Sequence, residues 1–108
     1  MTYSESGTTA DLLLAIERGD SQAVNQLLAF HRAYLKRLID VRLDPQLRGR
    51  IDPSDVVQET LVVASRRIQD FLKRRPTSFR IWLRRKALEQ LIDQRRFHRA
   101  FTRSMRTT

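Results

Sequence analysis

The chain has 108 residues and no cysteine, which suggests one domain with a modest core and excludes disulfides and thiolate metal sites. Its formal net charge of +9 is split unevenly: residues 1–65 carry seven Lys/Arg and nine Asp/Glu, whereas residues 66–108 carry fourteen Lys/Arg and three Asp/Glu. So basic a second half favours a polyanionic partner, nucleic acid foremost, over a solvated face that only aids solubility.

Residues 1–8 are polar and small and read as a disordered tail. Thr8 or Thr9 can cap a short helix carrying Leu12, Leu13 and Ile16, which Gly19 ends by taking the left-handed conformation without strain. Asp20 then caps a second helix over about 21–43. Its Val24, Leu27, Leu28, His31, Leu35, Leu38, Ile39 and Arg42 recur at helical spacing, and Phe30, Tyr34 and Val41 widen the apolar arc toward a second neighbour. His31 lies on the stripe with no candidate co-ligand near it, so it reads as a core or half-buried histidine. Residues 44–51 form a break, because Pro45 disfavours helix at Asp44 and Gly49 permits a turn. Leu47 and Ile51 pin that break to the core.

The best-marked helix follows, DPSDVVQETLVVASRRIQDF. Asp52 is its N-cap, Pro53 sits where a missing N–H costs nothing, and Asp55 faces the positive end of the helix dipole. Val57, Leu61, Ala64, Ile68 and Phe71 form the buried stripe. Asp55, Gln58, Glu59 and Val62 fall elsewhere on the wheel, and the helix should end near Phe71 or Leu72. Pro76 then interrupts a short loop holding Lys73, Arg74 and Arg75, and Thr77 or Ser78 caps a last helix from Phe79 to Phe101. On that helix Ile81, Leu88, Leu91, Ile92 and Arg95 make one stripe, with Phe79, Leu83 and Ala87 beside it. Trp82, Lys86, Glu89 and Asp93 fall on another side, which places Trp82 partly in solvent. Residues 102–108 carry no pattern and read as a tail or the start of a linker.

The expected fold is therefore all-α: three long helices plus one short N-terminal helix, in a domain spanning 9–101. No apolar run reaches membrane-spanning length and MTYSESGTT has no apolar signal segment, so the expected location is the cytoplasm, without a membrane partner. No phosphate-binding glycine loop or nucleophile motif occurs, and no cofactor is expected. The carboxylate pair Asp52/Asp55 is explained by capping, and Glu89/Asp93 by surface charge among arginines, so catalysis is not supported. Nucleic-acid binding is supported by dense cations interleaved with Phe71, Phe79, Trp82, Phe97 and Phe101, since cations attract phosphates and exposed aromatic faces stack on unpaired bases.

The order of these motifs resembles region two of bacterial sigma factors of the extracytoplasmic-function (ECF) group. The resemblance rests on D-x-x-D-x-V-Q-E at Asp52 to Glu59, a short basic loop, and F-x-x-W-L at Phe79 to Leu83, and it extends over roughly residues 10–99. It implies a helical bundle that binds the clamp helices of the largest subunit of core RNA polymerase through Asp52, Asp55, Gln58, Glu59 and Val62. It also implies recognition and melting of the promoter −10 element on the non-template strand, with a base flipped into a pocket. By position that DNA contact falls to Phe71, Lys73, Arg74, Arg75, Arg80, Trp82, Arg84, Arg85, Lys86, Glu89, Asp93 and Arg96. Many relatives carry an apolar residue at the place of Lys86 and an asparagine at that of Glu89; a glutamate accepts from a cytosine amino group but cannot also donate. Members of that group can also meet an anti-sigma partner and carry a carboxyl-terminal helix-turn-helix domain that reads the −35 element; that domain is missing from these residues, which are read either as a fragment of a longer factor or as a lone domain. Two readings from other classes stay open: a small basic protein-interaction or regulatory module, and a general basic DNA binder without polymerase contact.

Overall fold

The computed structural model describes residues 5–106, apart from the side chains of 102 and 104–106. Its helices are α1 (Gly7–Glu17), α2 (Ser21–Arg42), α3 (Pro53–Arg74) and α4 (Phe79–Arg106), with a 3₁₀ turn at Pro45–Leu47. The all-α expectation holds as one short helix and three long ones. The central element is α2, which packs against α1, α3 and α4, as its wide apolar arc requires. Within that arc Leu27, Leu28, His31, Leu35 and Ile39 are buried, whereas Phe30 and Val41 are exposed.

The caps explain where the long helices begin. Asp20 accepts from the Gln22 amide at 2.9 Å and Asp52 accepts from the Ser54 amide at the same distance. Between α2 and α3, Asp44 accepts from the Gln46 amide, Leu47 is half-buried and Ile51 is buried, so the break is tied down as expected. Gly19 has φ +91° and closes α1, with the Asp20 amide donating back to the Ala15 carbonyl.

Three boundaries differ from expectation. Helix α1 starts at Gly7 with Ser6 in the N-cap place, not at Thr8 or Thr9. Thr9 is instead a buried side chain, sharing a 3.0 Å hydrogen bond with His31 Nε2 and accepting one from Ser6 Oγ. Residues 5–8, read as part of a tail, thus include the first turn of α1, and Glu5 accepts from the Phe79 amide at 2.7 Å. Residues 1–4 lie outside the described residues. Helix α3 runs to Arg74, where Arg75 takes the left-handed conformation (φ 40°) and donates its amide to the Phe71 carbonyl. Helix α4 continues to Arg106, past the expected end at Phe101; Thr107 and Thr108 lie outside the described residues.

The buried stripe of α4 is also rotated from the one expected. Phe79, Trp82, Leu83, Ala87 and Leu91 face the core, while Ile81 and Ile92 are exposed. The reason is an aromatic cluster at the α3–α4 corner. Phe79 packs against Phe71 at 5.4 Å, Trp82 at 5.6 Å and His31 at 5.2 Å between ring centroids, and Trp82 packs on Phe71 at 5.1 Å.

His31 is closed in by this cluster, and burial pushes its pKa below the ordinary 6.5, with the nearby Arg80 charge acting in the same direction. The unfolded chain therefore takes up a proton at His31 more readily than the folded one. The stability due to neutral His31 is fully present above about pH 6.5 and falls as the pH drops below that value. Urea unfolding between about pH 7.5 and 5.5 is expected to show this loss, and the slope should shrink in His31→Gln, whose amide can still bond Thr9. Equal slopes in the two proteins would exclude His31 as the titrating group.

Candidate functional site

Helix α3 divides its residues between two faces. Val56, Val57, Thr60, Leu61, Ala64, Ile68 and Phe71 are buried, with the Thr60 hydroxyl satisfied by the Val56 carbonyl at 2.8 Å. On the other side Asp52, Asp55, Gln58 and Glu59 are exposed and Val62 is half-buried. The structure thus brings the five residues expected to meet a protein partner onto the solvent side of one helix. Asp52 is already engaged as the cap, whereas Gln58 and Glu59 have no capping role. Gln58 accepts a long hydrogen bond, 3.4 Å, from Arg32 of α2. These two residues edge a groove of about 290 Å³ between α2 and α3, floored by Leu28, Leu61 and Val62. Reasoning from the motif alone missed the α2 side of this groove; Asn25, Ala29 and Arg32 at i, i+4, i+7 were the available signal.

The expected DNA-contacting residues are not brought together as a single surface. Phe71 is 1% and Trp82 7% exposed, so neither presents a ring face to a base. The expectation that Trp82 stands partly in solvent is corrected: the apolar phase of α4 turns it inward against Phe71 and Phe79. Lys73 and Arg74 stand in the last turn of α3, not in a loop, because the helix runs three residues further than its apolar stripe. Arg74 pairs with Asp70 at 3.3 Å. Arg75 is half-buried and bonded to Glu17 of α1, so it fastens two helix ends together. Arg80 lies over the Tyr34 ring, 4.0 Å from its centroid. Lys86 is half-buried, 3.7 Å from Glu89 and 5.6 Å from the Trp82 ring centroid. Among the described residues, Lys73, Arg84, Arg85 and Arg96 form no ion pair, and with Glu89 and Asp93 they lie at or near the solvent side of α3 and α4.

Beyond Leu91, no described side chain of α4 is buried. Phe97 and Phe101 are 65% and 56% exposed among Arg95, Arg96, Arg99 and Arg103. Among the described residues no cluster of His, Asp and Glu could hold a metal ion, and no helix is long and apolar enough to cross a membrane.

Capping and surface roles on α3 are separable by stability. Asp52→Ala is expected to cost about 1 kcal/mol through the lost cap. The double variant Gln58→Ala/Glu59→Ala should stay within about 0.5 kcal/mol of the parent, as surface changes do. Denaturant midpoints check both, and a destabilised double variant would assign Gln58 and Glu59 to the fold. Compared with known proteins, the chain matches no family model, no curated protein and no solved structure.

Proposed function

We propose that this helical bundle is a sigma-type region-two module, which joins core RNA polymerase and engages the −10 element of promoter DNA. The observation that carries the reading is the register of D-x-x-D-x-V-Q-E on α3. Val57 enters the core while Asp55, Gln58 and Glu59 stay outside, beside half-buried Val62. The Gln58 amide at the edge of the groove, with the carboxylates of Asp55 and Glu59 exposed on the same helix, suits a partner helix that bears arginines, because charge-assisted hydrogen bonds then flank an apolar contact. On this reading Asp52 acts chiefly by holding the first turn of α3 in place.

DNA engagement is assigned to Lys73, Arg84, Arg85 and Arg96 as phosphate contacts, cations that form no ion pair among the described residues. Lys86, Glu89 and Asp93 supply polar groups toward bases, with Glu89 accepting from a cytosine amino group. Phe71 and Trp82 serve as the packed backing of that region. An anti-sigma protein, if one acts on this chain, would meet the α3 face and compete with polymerase.

Two measurements test the reading. Core polymerase should be pulled down by the parent protein and retained at least tenfold less by Gln58→Ala/Glu59→Ala with its helix content intact; equal retention sinks the polymerase assignment. Single-stranded non-template DNA should bind more tightly than duplex of the same sequence across a salt titration, and equal affinity counts against promoter melting. Capture of acidic proteins without affinity for polymerase or DNA would establish the interaction-module reading instead.

A further inference from the structure

A second cavity, of about 430 Å³, lies on the opposite side of α2 from the α2–α3 groove, between the start of α1, the middle of α2 and the start of α4. Its volume is in the range of small-molecule sites, about 300–1,000 Å³. Two kinds of side chain meet there. Phe30 is 52% exposed, and half-buried Tyr34, packed on the core from one side, adds its ring to the same lining. Arg37 and Arg80 are exposed guanidiniums on the same lining, and Arg80 is held over the Tyr34 ring. Among the described residues the one carboxylate on the lining, Glu5, is committed to the Phe79 amide. His31 closes the back wall as a buried ring bonded to Thr9.

We propose that this cavity binds a nucleoside phosphate, with the base against Phe30 and the Tyr34–Arg80 stack and the phosphate on Arg37 and Arg80. A flat ring is needed to use the aromatic wall, and an anion is needed to balance two guanidiniums opposed by one carboxylate. An inorganic anion would leave the rings unused, and a neutral aromatic would leave the guanidiniums unpaired. Neutral His31, its Nε2 engaged by Thr9, adds no charge to the site. The nucleotide can arrive free or as one unit of a single strand, and both share this chemistry. Apart from Arg80, none of these residues belongs to the faces assigned to polymerase or promoter contact, so the site stands or falls separately from that function.

The test is a titration of the full-length, ¹⁵N-labelled protein, followed at the amides of residues 30–37. Adenosine 5′-monophosphate, thymidine 5′-monophosphate, a six-nucleotide single strand and inorganic phosphate are the probes. Saturable shifts with a mononucleotide identify a free ligand, and shifts with the oligonucleotide alone identify a strand; either supports the site. Phe30→Ala and Arg37→Ala change exposed side chains and should keep the fold, and each should weaken binding about tenfold or more. Glu5→Gln keeps an acceptor for the Phe79 amide, removes the opposing charge and should tighten binding a few-fold. Equal response to inorganic phosphate, no response to any nucleotide, or affinity unchanged in Phe30→Ala and Arg37→Ala would overturn the proposal.

Discussion

The structure depends on where one side chain goes. Phe79 is fully buried, and its ring meets His31 of α2, Phe71 of α3 and Trp82 of α4, while its amide is held by Glu5 ahead of α1. One residue therefore joins all the helical layers. Removing a phenylalanine of this kind from a core costs about 3–5 kcal/mol, a large share of the 5–15 kcal/mol that typical domains possess. Its position also sets the rotation of α4. Once Phe79 and Trp82 are inside, Leu83, Ala87 and Leu91 must follow, and Ile81, Arg85, Glu89, Ile92 and Arg96 must face water.

That rotation separates the chemistry of the surface. The solvent side of α3 is acidic and polar near its start and basic at its end, and α4 continues the basic character. Acidic caps at helix starts and cations in last turns also complement the helix dipoles, so part of this asymmetry stabilises the fold itself. The proposed partners divide along the same line, a protein surface at Asp55, Gln58 and Glu59 and polyanion along α4. The nucleotide cavity occupies a third place, where Phe30 of α2 is left exposed beside half-buried Tyr34.

Much of this was legible from local pattern. Helix α3 was readable in full on its core face because Asp52, Pro53 and an unbroken apolar stripe agree with one another. His31 was readable as a buried histidine. The misread points share a cause, namely that the deciding contact is remote in sequence. Thr8 and Thr9 both read as caps until the fold puts Ser6 in that place and His31, twenty-two positions away, claims Thr9. Ile81–Ile92 and Trp82–Leu83 are both acceptable stripes at a period of 3.6, and only the aromatics of the α3–α4 corner choose between them. The end of α3 was placed early because the residue taking positive φ is an arginine, not a glycine. The candidate site was legible as residues on a face; the groove and the cavity were not, since each needs a wall from another helix.

Helix α1 shows what these remote contacts mean for assembly. It has eleven residues, too few to persist as an isolated helix in water. Beside the burial of Leu13 and Ile16 in the core, its polar fastenings are Thr9 to His31, Glu17 to Arg75, and Glu5 just ahead of it to Phe79. Two of those three partners exist in place only when the α3–α4 corner is formed. The free energy of docking α1 is thus linked to a turn some sixty to seventy positions away, and the first and second halves of the chain gain order as one cooperative unit.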